Sequence, residues 1–443
     1  MRYKSGDPPL GIASIASYLQ NKGINVKILD TTFNRSLSYV KNFLLDYKPK
    51  VVGIYIDTPM YNDAMNIIHL LKRLNIFVIA GGPHATIMPE TLINNVDVVI
   101  IGEGEETFYH IIKNKNNLSA VSGIWYKDSK SIIKTKPRKP IINLDKLPPP
   151  QRKFFDMENY IKNWHYLDNI NPKLRGTTFI ASRGCKYNCT FCQPTLKKIF
   201  GDIIRKRSPE NVIQEIIDVR DKYNLDMFFM HDDTLTEDKE WLKRFCELLE
   251  EKKVNMMWGC NARLDNLDEE TLNLLYGSKL RMVHLGIESA SQRILDKIYN
   301  KGISIKDVKS KLDLAQKIGV KVLCFFMLGA PTETRKEINQ TIRFAASLKC
   351  SEASFSVVNA LPYTYLYHKV KEDYTLEDDF EKYNYYSGRA FHDPDMPDRM
   401  LKYYLFKSLL YFYLHPYRWP YIFNHLTSFS GWYKMVIKIR RFI

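Results

Sequence analysis

The run Arg183-Gly184-Cys185-Lys186-Tyr187-Asn188-Cys189-Thr190-Phe191-Cys192 gathers three of the chain's seven cysteines at the spacing C-x-x-x-C-x-x-C. It follows directly on the apolar stretch Thr178-Phe179-Ile180-Ala181. A strand followed by a tight loop can wrap three thiolates around one face of an iron–sulfur cube. Such cubes take soft thiolate ligands, normally four, so three local ligands leave one iron open for another molecule. The same thiolates could make a structural zinc site with a fourth Cys or His. Zinc ribbons usually pair two C-x-x-C knuckles, and no second knuckle is present. Cys246, Cys260, Cys324 and Cys350 stand singly in apolar runs, where a free cysteine is most often a small buried hydrophobe.

The elements that must position this loop alternate. From Thr177 to Val358 six strand patterns interleave with helical ones: Thr178–Ser182, Met227–His231, Met256–Cys260, Arg281–Ile287, Val320–Leu328 and Ala353–Val358. The helix Pro209–Tyr223 takes Ser208 as its cap, and Glu237–Lys252 takes Thr236. Six βα units fall short of the eight of a closed barrel, which predicts an open, partial (β/α)6 barrel of TIM type over 174–360.

Residues 1–120 read as a Rossmann-like, doubly wound α/β domain, with Leu10–Lys22 a helix and Val26–Leu29, Val51–Ile56, Ile76–Ala80 and Val96–Ile101 strands. Ligands of such sheets bind at the carboxyl ends of the strands. Two glycine loops fall there: Gly81-Gly82-Pro83-His84 and Gly102-Glu103-Gly104-Glu105. Residues 121–173 read as a hairpin and a proline-stiffened linker, and 361–443 as a basic, aromatic, mainly helical region.

Net charge is +16, and half of it lies in the final 45 residues, which hold eight Lys and Arg and no Asp or Glu. The remainder is only mildly basic, which argues against a nucleic-acid groove. No secretory signal opens the chain, and no apolar run reaches the roughly 20 residues of a membrane span. A cytoplasmic, reducing setting is expected, with peripheral membrane contact through the aromatic and basic C-terminal region.

The cysteine spacing, with Asp232-Asp233, Trp258–Arg263, Gly286–Ser289 and Phe326–Thr334 at successive strand ends, resembles the radical S-adenosylmethionine (SAM) enzymes. Pro8-Pro9-Leu10-Gly11, the GGPHAT run and the GEGEETF run resemble the cobalamin-binding domain that precedes many of them, including the Mg-protoporphyrin monomethyl ester cyclase and radical C-methyltransferase group. The family's strand ahead of the proline pair would fall before this chain's start, and the D-x-H-x-x-G motif is absent.

That resemblance implies a 4Fe–4S cluster on Cys185, Cys189 and Cys192, whose open iron chelates SAM and whose electron releases a 5′-deoxyadenosyl radical. Glu288 and Ser289 would bond ribose hydroxyls, and Arg263 would pair with the SAM carboxylate. Phe191 and the Leu328 backbone would contact adenine, and Asp232 or Asp233 would meet the ammonium or the substrate. Gly81, Gly82, Gly102 and Glu103 would lie along the corrinoid, with His84 a candidate axial ligand. A flavodoxin- or ferredoxin-like reductant and a small-molecule or lipid-like substrate complete the expectation. Other readings are a radical enzyme without cobalamin and a zinc-stabilised module for an anionic surface.

Overall fold

The computed structural model describes residues 6–129, 131–384, 388–419 and 423. The first sheet runs Val51–Tyr55, Phe77–Gly81, Val98–Ile100, Ile124–Asp128 and Ser131–Lys134 in chain order. Its first three strands are parallel; the last two form a hairpin that adds antiparallel to the third. The expected hairpin thus extends the N-terminal sheet instead of standing in the linker. Val78, Ala80 and Val99 face the helices Leu37–Tyr47 and Tyr61–Arg73, whereas Ile79, Val98 and Ile100 face Glu105–Lys113. Both faces are covered, which is why these short strands read as unbroken apolar runs.

Val26–Leu29, expected as a strand, belongs to no ladder among the described residues. The edge of the sheet is Val51–Tyr55, and among the described residues no hydrogen-bonded neighbour lies beyond it to convert the extended segment into a strand.

The second sheet holds six parallel strands: Gly176–Phe179, Met227–Met230, Met257–Ala262, Leu280–Glu288, Lys321–Leu328 and Glu352–Val357. They lie side by side in chain order without closing. Alternation decides what fills the two sides. Phe228 and Met230 pack outward with Trp258 and Phe245 under the helices. Met227, Phe229 and Met282 turn inward onto Trp164 and Leu167. The segment around Trp164–Leu174 therefore plugs the barrel's interior, and Gly259 makes room: a Cβ there would lie 2.9 Å from Leu167 and 3.0 Å from Phe229.

Ser208 caps the helix Pro209–Tyr223 as expected, while Asp238, not Thr236, caps the next, Lys239–Glu251. The C-terminal helix Asp398–Tyr413 packs Leu401, Leu405 and Phe412 against the helix Arg335–Ser347 and the sixth strand. Arg418 is buried and donates to Ala346 O at 2.9 Å and Leu348 O at 2.6 Å, so its charge meets the carbonyl end of Arg335–Ser347. Residues 420–422 and 424–443, about half of the basic final 45, lie outside the described residues. Among the described residues no helix is long and apolar enough to cross a membrane.

Candidate functional site

The first barrel strand ends at Phe179, and the next turn of chain is pinned by Asp232 at the end of the second. The Asp232 carboxylate accepts the Ala181 amide at 3.0 Å and the Ser182 hydroxyl, and it is buried. Ser182 and Arg183 then pair antiparallel with Lys206 and Arg205. Gly184 turns the chain at φ 97°, a conformation open mainly to glycine, and the cysteines follow.

The loop they occupy is anchored on two further sides. Thr190 donates its amide to Tyr299 O at 2.9 Å, and Asn300 reaches Asn188 O at 3.1 Å. The amides of Tyr365 and Leu366, opening a C-terminal helix, donate to Gln193 O and Thr190 O at 2.7 and 3.0 Å. Gln193 closes the loop on itself through Cys185 O at 3.2 Å.

All three thiols are free; Cys189 is buried, and Cys185 and Cys192 are partly so. Burial pushes the Cys185 and Cys192 thiols above their ordinary range. Three thiols of one short loop, held where anions are disfavoured, suit a cationic iron centre, which would stabilise each as thiolate. Cations stand by: Arg263 Nη1 lies 3.9 Å from Cys189 Sγ, and Lys301 favours the anion of Cys192. Among the described residues no three His, Cys, Asp or Glu side chains could hold one metal ion. Cluster ligands have no need to converge so far, because each thiolate binds its own iron.

Arg263 is fixed by several partners at once. It forks onto Asp265 at 3.0 Å, donates to Lys301 O at 2.8 Å and stacks 3.6 Å from the Tyr187 ring centre. Glu288 pairs with Lys301 at 2.9 Å; both are nearly buried, and Glu288 sits at φ 69° beside a shift in strand register. A Cβ at Gly286 would lie 2.2 Å from Glu288 Oε1 and 2.8 Å from Lys301 Nζ, so the glycine preserves the pair. Phe191 is partly buried between Tyr299, edge-on at 5.3 Å, and Lys301 at 5.7 Å.

Ser289 is fully buried beside Thr341 and accepts the Ser291 amide at 3.1 Å. The Leu328 carbonyl accepts the Val358 amide at 2.9 Å, and the amides of Gly329 and Ala330 go to Glu333 at 2.7 and 3.1 Å. Asp233 is open to solvent inside the barrel mouth. Surrounding protein, and then the Asp232 carboxylate, push its carboxyl up to about 6.

On the first sheet, Gly82 is needed by the chain itself: a Cβ there would lie 2.8 Å from Ile56 O. Gly81 has no such crowding. His84 is wholly buried, with Nδ1 3.2 Å from Thr58 Oγ1 and Nε2 3.1 Å from Thr91 Oγ1. Burial lowers its pKa to about 4, so the ring is neutral and both nitrogens are engaged. The Gly102 amide donates to Thr86 Oγ1 at 3.0 Å, and Glu103 binds Arg183 and Arg205. Tyr55 is 42% exposed, yet walling by protein and then Asp57 raise its phenol pKa. With both His84 nitrogens engaged, a corrinoid at these strand ends would take no axial nitrogen from it.

Lys301, paired with Glu288 and close to the cysteine loop, stands among the expected residues. Lys301 carries no motif. Only the lone acid at the end of an apolar strand, Glu288, signalled that some cation must reach it.

Residues 179–345 match the radical SAM superfamily and residues 4–112 the B12 binding domain. A Pyrococcus horikoshii protein called uncharacterized methyltransferase PH0819 is 30% identical over 389 residues, 85% of this chain and 81% of its own. The anaerobic magnesium-protoporphyrin IX monomethyl ester cyclase of Rubrivivax gelatinosus is 27% identical, covering 88% and 71%. Among solved structures, the radical SAM methyltransferase TsrM of Kitasatospora setae, with cobalamin and a [4Fe-4S] cluster bound, superposes with a TM-score of 0.69 at 17% identity. That match covers 83% of this chain and 75% of the other, and it extends the likeness of fold to both sheets.

Proposed function

The chain belongs to the radical SAM superfamily, with a B12-binding domain ahead of the catalytic one, and from that premise we propose methyl transfer, or a related radical change, at an unactivated carbon of a hydrophobic substrate. It is an enzyme that uses a 4Fe–4S cluster, SAM and cobalamin. When bound, the cluster supplies the electron that cleaves SAM, and the corrinoid supplies a carrier for a methyl group. The observation that carries the reading is a three-thiol loop at the mouth of an open parallel half-barrel, flanked by the strand-end loops of the corrinoid-type sheet.

Cys185, Cys189 and Cys192 would hold the cluster. Arg263 is already forked onto Asp265, so its part is to keep a positive charge beside Cys189. The Lys301 ammonium would meet the SAM carboxylate, and Glu288, held at its far side, would accept ribose hydroxyls. Asp233, titrating near neutrality, can take or give a proton at the barrel mouth.

The inner floor supports an apolar or aromatic substrate: Tyr166 packs on Phe229, His231 and His284, and His284 on Phe325. A lipid-like substrate is also consistent with the outer face of Asp398–Tyr413, where Tyr403, Phe406 and Leu410 are exposed. The neighbouring helix exposes Arg335, Lys336 and Arg343. Together these would rest on an anionic bilayer surface.

Anaerobic reconstitution with iron, sulfide and hydroxocobalamin, followed by SAM and reduced flavodoxin or dithionite, tests the reading. A brown protein that retains corrinoid absorbance and forms 5′-deoxyadenosine or S-adenosylhomocysteine supports it. Cys189→Ala is expected to lose the cluster's iron and all deoxyadenosine. A colourless parent protein holding one zinc sinks the enzyme, and a brown one that never retains corrinoid favours radical chemistry without cobalamin.

A further inference from the structure

The loop that ends the third parallel strand carries two carboxylates into the domain interface, and both meet arginines of the cysteine loop. Glu103 accepts Arg183 Nη1 at 2.6 Å and Arg205 Nη1 at 2.9 Å, and the Ile141 amide at 3.0 Å completes it. Glu105 accepts Arg183 Nη2 at 2.5 Å and the Ser14 hydroxyl at 2.7 Å. Three of the four charged side chains are under a tenth exposed, and Arg183 is 19% exposed. Two positive and two negative charges compensate one another, as burial requires.

Arg183 and Arg205 are direct partners in the short antiparallel ladder, so gripping both holds that ladder's two strands. Arg183 lies two residues before Cys185, and Gly102 lies one before Glu103. One end of the loop therefore stands at the carboxyl end of a parallel strand, where such a sheet would hold its ligand, and the other is locked to the chain that leads into the cysteines.

Resting on the function proposed above, we infer that Glu103, Glu105, Arg183 and Arg205 form a latch that fixes the separation and orientation of the two cofactors. They are positioning residues: each acts through the loop it holds. SAM cleavage depends only on the barrel side of the latch, whereas passage of a methyl group depends on both sides keeping register.

The test is electron paramagnetic resonance on the full chain loaded with cluster and corrinoid, in parent, Glu105→Gln and Arg183→Lys proteins. In the parent, the reduced cluster should speed relaxation of the cobalt(II) signal. Glu105→Gln leaves Arg183 half held, and lysine cannot span two carboxylates. Each variant is expected to weaken that coupling several-fold while iron, corrinoid and deoxyadenosine per cluster stay near the parent's. Unchanged coupling in both loaded variants overturns the latch. So does failure of Glu105→Gln alone to fold or load, which assigns the network to folding. A parent that binds no cluster instead overturns the proposed function, a separate result.

Discussion

Glu288 adopts φ 69° with its carboxylate buried against Lys301. A left-handed non-glycine residue costs about 1 kcal/mol or more, and such strain persists where the surroundings over-determine it. Lys301→Met leaves that carboxylate buried and alone, an expected loss of about 3–5 kcal/mol. The double variant Glu288→Met/Lys301→Met should recover much of the stability but none of the SAM affinity. A chemical-denaturation cycle with SAM-binding calorimetry checks both; additive losses would show that the pair is not coupled. His84 carries a different expectation. Its nitrogens are held by Thr58 and Thr91, so His84→Ala should cost about 2 kcal/mol of stability. The cobalt(II) spectrum of bound corrinoid should be unchanged by it; loss of a nitrogen coupling would make His84 a ligand after all.

At the scale of elements, the turn from the fifth barrel strand into Arg335–Ser347 stores an acid in an unfavourable state. Glu333 accepts two amides through one oxygen, while its other oxygen is buried without a partner, and so is the Tyr299 hydroxyl. Burial pushes the Glu333 carboxyl up to about 7. A carboxyl raised in the folded state favours folding at low pH. That contribution is complete below the unfolded value near 4.3 and is lost as pH rises through about 7. Glu333→Gln removes the dependence. Its stability should match the parent's near pH 4 and exceed it at pH 8 by on the order of 3 kcal/mol, read from melting temperatures at each pH. Parallel pH profiles would refute this. The same helix closes at its other end on Arg418, about 70 residues further along the chain.

At the scale of the molecule, the exposed aromatic stripe and the basic helix beside it predict behaviour at a surface. Full-length protein should float with vesicles containing phosphatidylglycerol and much less with phosphatidylcholine alone. Phe406→Asp/Leu410→Asp should abolish flotation while cluster content stays as in the parent. Equal flotation of the double variant would remove the bilayer from the proposal. Within the molecule, the cysteine loop is where everything meets: the first sheet through Glu103 and Glu105, the fourth-strand crossover through Tyr299 and Asn300, and the C-terminal region through Tyr365 and Leu366.

The amino-acid sequence determined the strands of both sheets to within a few residues, because buried parallel strands leave unbroken apolar runs, though the same pattern misled at Val26–Leu29. It marked the thiol loop, because three cysteines this close along the chain can share one face of a cluster. Tertiary structure decided which partner each polar group found. Local spacing does not reveal that Glu103 meets Arg183 and Arg205, that Glu288 meets Lys301, or that His84 is sealed between two threonines. The first of these contacts spans 80 residues of chain or more, and all are chosen by how the sheets and loops pack. A charge or an imidazole in a loop announces only that a partner is required; packing supplies the partner.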